Sequence, residues 1–429
     1  MLAERIFVCA TAFIFFCCPA VCFSDENSTK KTLQNVCNVY SQQWAGVKLH
    51  YKGGSREFHR HCEAAIEDKD LLSGLWAIRS IIPDGHAGFA VKTKVRPQIY
   101  PLILEYNVQS NNIMVAGVLR KSLAKYVGKK VSLINGVNAL EFIKVRAKLE
   151  PQSTFENSLV VAARTILYQL SWKPYPDFPK SVTIVFDGGD KIHLRPKSLR
   201  KLIKRYPYLL NRNAYPSIWL GLATNDENAC ITKAEVAKII SYNGSDWLWW
   251  HPASMHFDLA NVDSAFRCWS EMIKKVDGVI LDLRDTAGGG GEESATVANV
   301  LGIRNKLTFR RRNSKGKIAE YPILASQNIP QRWGGKVVVV TNGLCGSACE
   351  FLGEIVSKRK NTCSYGTPTA GRKIGYTDIK INEEVSLEVP MRAYLDSRGR
   401  VMEGKPFIPR HVGTGNVYEA LKACTDELD

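Results

Sequence analysis

The stretch Gly343-Leu-Cys-Gly-Ser-Ala-Cys-Glu350 lies between a predicted strand and a predicted helix. The run Val337–Val340 before it consists of β-branched residues, which is typical of a buried strand. The apolar residues of 351–356 recur at helical spacing. Ser347 is therefore expected at a sharp turn, beside the unpaired N–H groups of a helix N-terminus. Such a position suits a serine nucleophile, and it also suits a helix N-cap.

Residues 1–24 have the pattern of a secretory signal peptide. Arg5 precedes the apolar run Ile6–Phe16, and small residues follow near Ser24. We therefore expect this segment to be removed and the mature chain to be exported, whether secreted, periplasmic or held in the cell envelope. An uncleaved membrane anchor is the alternative. The 429 residues are enough for two or three domains.

Export makes disulfide bonds available to the eight cysteines beyond residue 24. Cys37 and Cys62 are the predicted pair, because a closed loop would stabilise the polar N-terminal region in which both lie. Free, buried cysteines are the alternative. The sequence has no Cys-x-x-Cys and no His-Glu-x-x-His motif, so we expect neither a metal nor another cofactor.

The formal net charge is +17, and basic residues concentrate at Lys197–Arg205 and Arg310–Lys317. In an exported chain, such clusters favour contact with an anionic membrane surface or an acidic substrate over nucleic acid. A solvated basic face is the simplest interpretation.

Asp84-Gly-His-Ala-Gly88 follows a predicted helix over Arg56–Ile82, which Pro83 ends. We expect His86 to be fixed by this turn and partly exposed, which suits a general base. A turn histidine without a chemical role is the alternative. If His86 acts as an ordinary free base, activity should fall on acidification through about pH 6–7.

A second informative stretch is Gly278-Val-Ile-Leu-Asp-Leu-Arg-Asp-Thr-Ala-Gly-Gly-Gly-Gly291, where a predicted strand runs into glycines and then a helix. Glycines allow backbone N–H groups to turn toward a bound anion. The stretch lacks the lysine and Ser/Thr of a P-loop, and it lacks Rossmann spacing. These N–H groups are therefore better suited to an oxyanion hole.

Residues 97–195 are rich in predicted strands. Within them, Gly128-Lys-Lys-Val-Ser-Leu-Ile-Asn-Gly136 resembles the signature of a PDZ-like module, a type of domain that binds extended peptides at a sheet edge. A helix predicted over Phe155–Trp172 departs from a minimal PDZ domain.

Three separate motifs resemble those of the C-terminal-processing, or tail-specific, serine peptidases. They are Asp-Leu-Arg-x-x-x-Gly-Gly at 282–289, Gly-Ser-Ala-Cys-Glu at 346–350 and Gly-Thr-Pro-Thr-Ala-Gly at 366–371. The resemblance covers about residues 70–415. It implies an α/β core with a spiral, crotonase-like (ClpP-like) sheet, interrupted by a mainly β PDZ-like domain.

The resemblance also implies the catalytic residues. Where the serine–lysine branch of this family has its lysine, this chain has Arg372, and Lys373 is one place late. Asp-Gly-His-x-Gly at 84–88 is instead similar to the tricorn-like and retinoid-binding-protein-like branch, which uses Ser–His–Glu. Ser347 would then be the nucleophile and His86 the base. Glu403, in a segment that matches approximately, would orient the histidine.

The oxyanion hole implied by the resemblance uses the N–H groups of Ala348 and of Gly288 or its neighbour Gly289. The expected function is that of an exported serine endopeptidase acting on proteins or peptides. One alternative is a non-catalytic ligand- or peptide-binding protein on the same scaffold. Another is a peptidase with a Ser347–Lys373 dyad.

The predicted organisation has four parts. They are the signal peptide 1–24, an N-terminal helical region 25–96 that carries His86, the PDZ-like domain 97–195, and the catalytic α/β core 196–429. The sequence leaves the oligomeric state open.

Overall fold

The computed structural model describes residues 26–169, 173–175, 178–198, 229–231, 235–252, 255–257, 259–286, 288–303, 307–326, 329, 332–414 and 416–428. The predicted signal peptide and most of the basic cluster Lys197–Arg205 lie outside these residues. Within them, no helix has the length and the apolar character needed to span a membrane.

The N-terminal region is helical, as predicted, with α1 Glu26–Gln43, α2 Val47–His50, α3 Gly54–Ile66 and α4 Leu71–Ser80. The continuous helix expected over Arg56–Ile82 is wrong, because the chain turns between α3 and α4. Asp68 takes a positive φ of 52°, which a continuing helix does not allow. The Asp70 side chain then accepts hydrogen bonds from the N–H groups of Leu72 and Ser73, and so caps α4.

The next part of the chain forms antiparallel sheets with two helices. The strands are β1 Gly88–Val91, β2 Gln98–Ile99, β3 Leu102–Asn107, β4 Asn112–Val118, β5 Lys130–Ile134, β6 Val137–Asn138, β7 Tyr168–Gln169, β8 Val182–Phe186, β9 Lys191–Leu194 and β10 Lys197–Ser198. The helices are α5 Ala139–Leu149 and α6 Phe155–Thr165.

The C-terminal half alternates strands and helices. Its strands are β11 Cys230–Ile231, β12 Glu235–Tyr242, β13 Ser245–Pro252, β14 Gly278–Asp282, β15 Leu307–Asn313, β16 Ile318–Ile323, β17 Lys336–Thr341, β18 Thr362–Gly366, β19 Ile374–Lys380, β20 Val385–Leu395 and β21 His411–Val412. Its helices are α7 Val262–Ala265, α8 Arg267–Met272, α9 Gly291–Val300, α10 Ala348–Val356 and α11 Val417–Leu428.

The central sheet has the order β11-β12-β13-β14-β17-β18-β21, and it is parallel from β13 to β21. Both faces of the sheet are covered, which explains the unbroken apolar run of β17. Val337 and Val339 pack with α9 and α10, whereas Val338 and Val340 pack with α11. This mixed α/β architecture agrees with the predicted fold class.

The tryptophans Trp247, Trp249 and Trp250 are packing residues of this sheet. All three lie on β13 and are buried. Trp249 donates a hydrogen bond to Asp282 Oδ2 at 2.9 Å, and Trp250 donates one to Glu235 Oε2 at 2.6 Å. The indole N–H groups of Trp249 and Trp250 thus have partners within the core.

Residues 98–198, which we call the insert, interrupt a second sheet. β1 precedes the insert and pairs with β20, and that sheet continues β20-β15-β16 with β19 also on β20. The insert has its own sheet, β3-β4-β5-β8-β9, and its own apolar core with α5 and α6. The helix expected over Phe155–Trp172 is wrong beyond Thr165, because Tyr168 pairs with Ile99 in a short sheet. The PDZ-like interpretation of this region stays a prediction.

All eight cysteines beyond residue 24 come to disulfide distance in pairs: Cys37–Cys62, Cys230–Cys268, Cys345–Cys349 and Cys363–Cys424. The first pair, which links α1 to α3, is the one expected from the sequence. The third brackets Ser347.

Candidate active site

Ser347 occupies the N-cap position of α10, at the end of the turn that follows β17. Its backbone has φ 57° and ψ −126°, a strained conformation for a residue with a side chain. The Ser347 N–H donates to the carbonyl of Arg372 at 3.1 Å and to Glu350 Oε2 at 3.2 Å. Ser347 remains partly exposed while its neighbours are buried. The strand-to-helix turn expected from the sequence is therefore present.

Glu350 fastens the turn to the segment that follows β18. Its buried carboxylate accepts hydrogen bonds from the N–H groups of Gly371 at 2.8 Å and Arg372 at 2.7 Å, and from the Thr369 hydroxyl at 2.5 Å. Burial raises the pKa of Glu350 to about 7, although Lys373 and these hydrogen bonds act in the opposite direction. Glu350 is thus a structural acid that holds segment 369–372 against residues 342–347. We call these residues the nucleophile turn, after the role proposed for Ser347.

The glycine loop after β14 lies directly against Ser347. A Cβ atom added to Gly288 would stand 2.6 Å from the Gly346 carbonyl oxygen, 2.8 Å from Ser347 Cβ and 3.3 Å from the Ala348 nitrogen. Only glycine fits at such an approach, and the φ of 106° at Gly288 also favours glycine. Within the residues that the structure describes, the N–H groups of Gly288, Gly289 and Ala348 donate no hydrogen bond. These three backbone donors lie in the two chain segments that meet at Ser347, and they are available to an anion.

An apolar cavity, partly open to solvent, lies beside the nucleophile turn. Ser347, Ala348 and Gly289 form one wall. The other walls come from α9, α10 and the β15–β16 and β20 strands: Gly291, Ser294, Phe309, Ile323, Phe351, Leu352, Ile355 and Tyr394. A side chain held in this cavity would be adjacent to the serine hydroxyl.

His86 lies in the turn between α4 and β1, and it is more buried than expected, at 9% exposure. Its ring stacks on Tyr376 with 5.7 Å between centroids, and its Nδ1 lies 3.9 Å from Asp84 Oδ1. Burial, together with the positive charge of Arg372, lowers the pKa of His86 to about 3. His86 is therefore neutral at neutral pH. A pKa of about 3 disagrees with the expectation that activity falls at about pH 6–7 because His86 gains a proton.

Asp84 is a site residue that the sequence reasoning did not single out. It is fully buried, accepts the Trp44 indole N–H at 3.0 Å and accepts the backbone N–H of His86 at 2.9 Å. Burial raises the pKa of Asp84, although these hydrogen bonds act against the rise. The sequence did contain a signal for this role, because Asp84 lies two residues before His86. An aspartate at that position commonly accepts a hydrogen bond from a backbone N–H group of its own turn.

Glu403 approaches the same region from the C-terminal segment. Its carboxylate accepts the Lys373 N–H at 2.5 Å and the hydroxyl of Ser153. Burial first, and then the negative charge of Asp84, raise the pKa of Glu403 well above its usual range. In the described parts of the chain, no hydrogen bond joins His86 to Ser347 or to Glu403. The carboxylate found within 4 Å of the His86 ring is that of Asp84.

Lys373, the alternative base, is almost fully buried, with 1% exposure. The side chain lies against α10, immediately before β19. Its Nζ forms an ion pair with Glu354 and lies 5.9 Å from the Phe351 ring centroid. Among the described residues, Lys373 has no hydrogen bond to Ser347.

Segment 371–373 is the common neighbour of the predicted catalytic residues. The Arg372 carbonyl accepts the Ser347 N–H, and the Lys373 N–H donates to Glu403. The Arg372 side chain packs on the turn of His86, since a Cβ atom added to Gly85 would meet Arg372 Cδ at 2.5 Å. The segments that carry His86, Ser347 and Glu403 are far apart in sequence, and all three contact residues 371–373.

One family profile covers the part of the chain that contains this turn. Residues 255–412 match the profile of Peptidase family S41, and the match contains both glycine motifs and Ser347. The match over residues 255–412 supports a serine peptidase of the S41 type. A peptidase of this type would act on protein or peptide substrates. No curated protein matches its sequence.

Solved structures of CPAF share the fold of this chain. Mature CPAF complexed with lactacystin superposes with a TM-score of 0.66 at 11% identity, over 94% of this chain and 97% of that one. A CPAF point mutant gives 0.67 at 10% identity, over 94% and 96%. The photosystem II D1 C-terminal processing protease gives 0.49 at 14% identity, over 90% and 93%. The likeness to CPAF concerns the architecture, because the sequence identity is low.

Proposed function

We propose that this S41 peptidase is an exported endopeptidase in which Ser347 attacks the scissile carbonyl and His86 accepts the hydroxyl proton. Glu403 would orient His86 in the productive complex, with Asp84 as the adjacent carboxylate. A neutral His86 supports this role, because a base must be unprotonated to accept a proton. A small movement on substrate binding would bring the three groups into contact, since catalytic hydrogen bonds often tighten only in the complex.

The reaction would follow the acyl-enzyme route. Attack by Ser347 Oγ on the peptide carbonyl gives a tetrahedral oxyanion, and His86 then donates its proton to the leaving amine. Water, deprotonated by His86, hydrolyses the resulting ester and frees the serine. The N–H groups of Ala348 and of Gly288 or Gly289 would bind the oxyanion. Loss of one such donor typically reduces the rate by about 100-fold or more.

The observation that carries this proposal is the contact of Gly288 with the Ser347 turn. This contact supports the proposal because it brings a glycine-rich segment close to a serine at a helix N-terminus, where developing negative charge is stabilised. A serine that served only as a helix cap would not need a second glycine loop packed on its Cβ.

The apolar cavity beside Ser347 defines the substrate side chain that the site would accept. Its walls are aliphatic and aromatic, and it adjoins the nucleophile, so we propose cleavage next to an apolar residue. Burial of a leucine- or phenylalanine-sized side chain contributes about 1.5–3 kcal/mol, which is enough to select among peptides.

Labelling with a fluorophosphonate probe tests the nucleophile. The mature protein should react at Ser347 with one probe per chain, and Ser347→Ala should not react while it keeps the same melting temperature. Absence of labelling in the folded wild-type protein would favour the alternative of a non-catalytic binding protein. Peptide mapping of the adduct identifies the labelled residue.

A further inference from the structure

Helix α6 of the insert presents one face to the catalytic core. Asn157, Val160 and Arg164 follow one another at spacings of three and four residues, so they share this face. Asn157 and Arg164 are almost fully buried, at 3% and 4% exposure. Polar side chains this deeply buried need partners, and both find them on the loops around Ser347.

Asn157 joins the helix to the nucleophile turn. Its Nδ2 donates to the Gly343 carbonyl at 2.5 Å, four residues before Ser347. Its Oδ1 accepts from Arg372 Nη2 at 3.5 Å. Val160 fills the space next to the first contact, because a Cβ atom added to Gly343 would be 3.2 Å from its methyl groups. Asn157 therefore touches the turn before Ser347 and also the residue whose carbonyl holds Ser347.

Arg164 joins the same helix to the glycine loop. Its Nη1 donates to Asp285 Oδ2 at 3.1 Å. Asp285 has a positive φ of 61°, and it exchanges two hydrogen bonds with Asn342, at 3.0 and 2.9 Å. Asn342 begins the nucleophile turn. The Arg164 contact thus lies where the two catalytic loops meet.

We propose that α6 of the insert fixes the position of the glycine loop after β14 relative to the nucleophile turn. Asn157 would then be a positioning residue for the reaction. This inference rests on the proposed serine chemistry. The oxyanion donors come from one loop and from the N-terminus of α10, so their separation depends on both loops. Misplacement by about 1 Å is enough to reduce a rate about 100-fold. The insert would accordingly be part of the catalytic machinery and not an appended domain.

The test compares variants of α6 by their reaction with a fluorophosphonate, which requires no knowledge of the natural substrate. Asn157→Leu keeps the side-chain volume and removes both hydrogen bonds. Thr165→Val is the matched control on the same helix, because Thr165 is buried and its hydroxyl donates only to the carbonyl of Val161 at 2.9 Å. Melting temperatures are measured for both variants.

For Asn157→Leu, we expect the maximal inactivation rate to fall about 10- to 100-fold, while the half-saturating probe concentration changes by less than about threefold. Thr165→Val should lower the melting temperature comparably and retain a rate near that of the wild type. If Asn157→Leu does not fold, Asn157→Ser replaces it under the same criterion.

Two results would overturn the inference. If Asn157→Leu reacts as fast as Thr165→Val at equal stability, α6 only packs against the core. The proposed function would stand in that case. If the wild-type protein itself fails to react, the proposed function is wrong and the positioning role falls with it.

Discussion

At the scale of single residues, burial sets the protonation of the site. His86 is neutral because it is desolvated and close to Arg372, whereas Asp84 and Glu403 have raised pKa values because burial disfavours their charged forms. Pairs of groups shifted in opposite directions are typical of acid–base chemistry.

The first prediction concerns the stability contribution of His86. Its folded-state pKa is about 3, below the usual value of about 6.5. Below pH 6.5, His86 therefore binds a proton in the unfolded state but not in the folded state. The free energy of unfolding should fall with decreasing pH, by up to about 1.4 kcal/mol per pH unit from this group.

Urea unfolding of the wild type and of His86→Gln between about pH 5 and 7.5 measures this effect. As pH falls, the free energy of unfolding of His86→Gln should increase relative to that of the wild type. Asp84 and Glu403 act with the opposite sign, but they are present in both proteins. A pH-independent difference would show that His86 titrates normally.

The second prediction separates the two candidate bases. Lys373→Met alone leaves the Glu354 carboxylate without its partner, so we pair it with Glu354→Gln. This double variant should keep fluorophosphonate reactivity within about tenfold of the wild type. His86→Ala should lose reactivity as completely as Ser347→Ala, because such groups act as a unit. An active His86→Ala together with an inactive, folded double variant would support the Ser347–Lys373 dyad.

At the scale of secondary-structure elements, α10 has two functions. Its N-terminus carries Ser347, and its first two turns contribute Phe351, Leu352 and Ile355 to the apolar cavity. Phe351 also packs edge-on against Phe309 of β15, with ring centroids 4.8 Å apart. The nucleophile and the cavity are thus parts of one rigid element, which fixes the distance between them.

The third prediction concerns this cavity. Phe351→Leu should enlarge it and shift cleavage toward bulkier apolar residues, because the leucine leaves part of the ring volume empty. A peptide series with alanine, leucine, phenylalanine, tryptophan or lysine before the scissile bond measures the preference. Val356→Ala is the control, since Val356 is buried on the same helix and does not line the cavity. An unchanged preference in Phe351→Leu would exclude this cavity as the specificity site.

At the scale of the whole molecule, the catalytic site is assembled from three regions. The N-terminal helices lead to His86, the central sheet carries Ser347 and the glycine loop, and the insert contacts both loops through α6. Because β1 pairs with β20, the His86 turn is fixed to the C-terminal half. The pairs Cys37–Cys62 and Cys363–Cys424 brace the two ends of this assembly.

The fourth prediction concerns export. The pattern of residues 1–24 predicts cleavage, so the mature chain should begin at about Asp25. N-terminal sequencing of protein recovered outside the cytoplasm determines this. A chain that begins at Met1 and fractionates with membranes would instead support an uncleaved anchor.

The sequence by itself determined the local features of the site. The β-branched run of β17 and the helical spacing of α10 placed Ser347 at a strand-to-helix turn. The glycines at 288 and 289 marked the neighbouring loop, and the polar N-terminal region pointed to Cys37–Cys62. These predictions were available because periodicity, glycine content and loop length report on short stretches of chain.

Only the tertiary structure decided what lies around those features. The burial of His86 and Lys373, the proximity of Asp84 to Glu403, and the contact of Asn157 with Gly343 all depend on segments far apart in sequence. Polar side chains carry no periodic signal of their partners, and a pKa depends on every charge and dipole nearby in space. The sequence therefore identified Ser347 as the proposed nucleophile, and only the tertiary structure determined its surroundings.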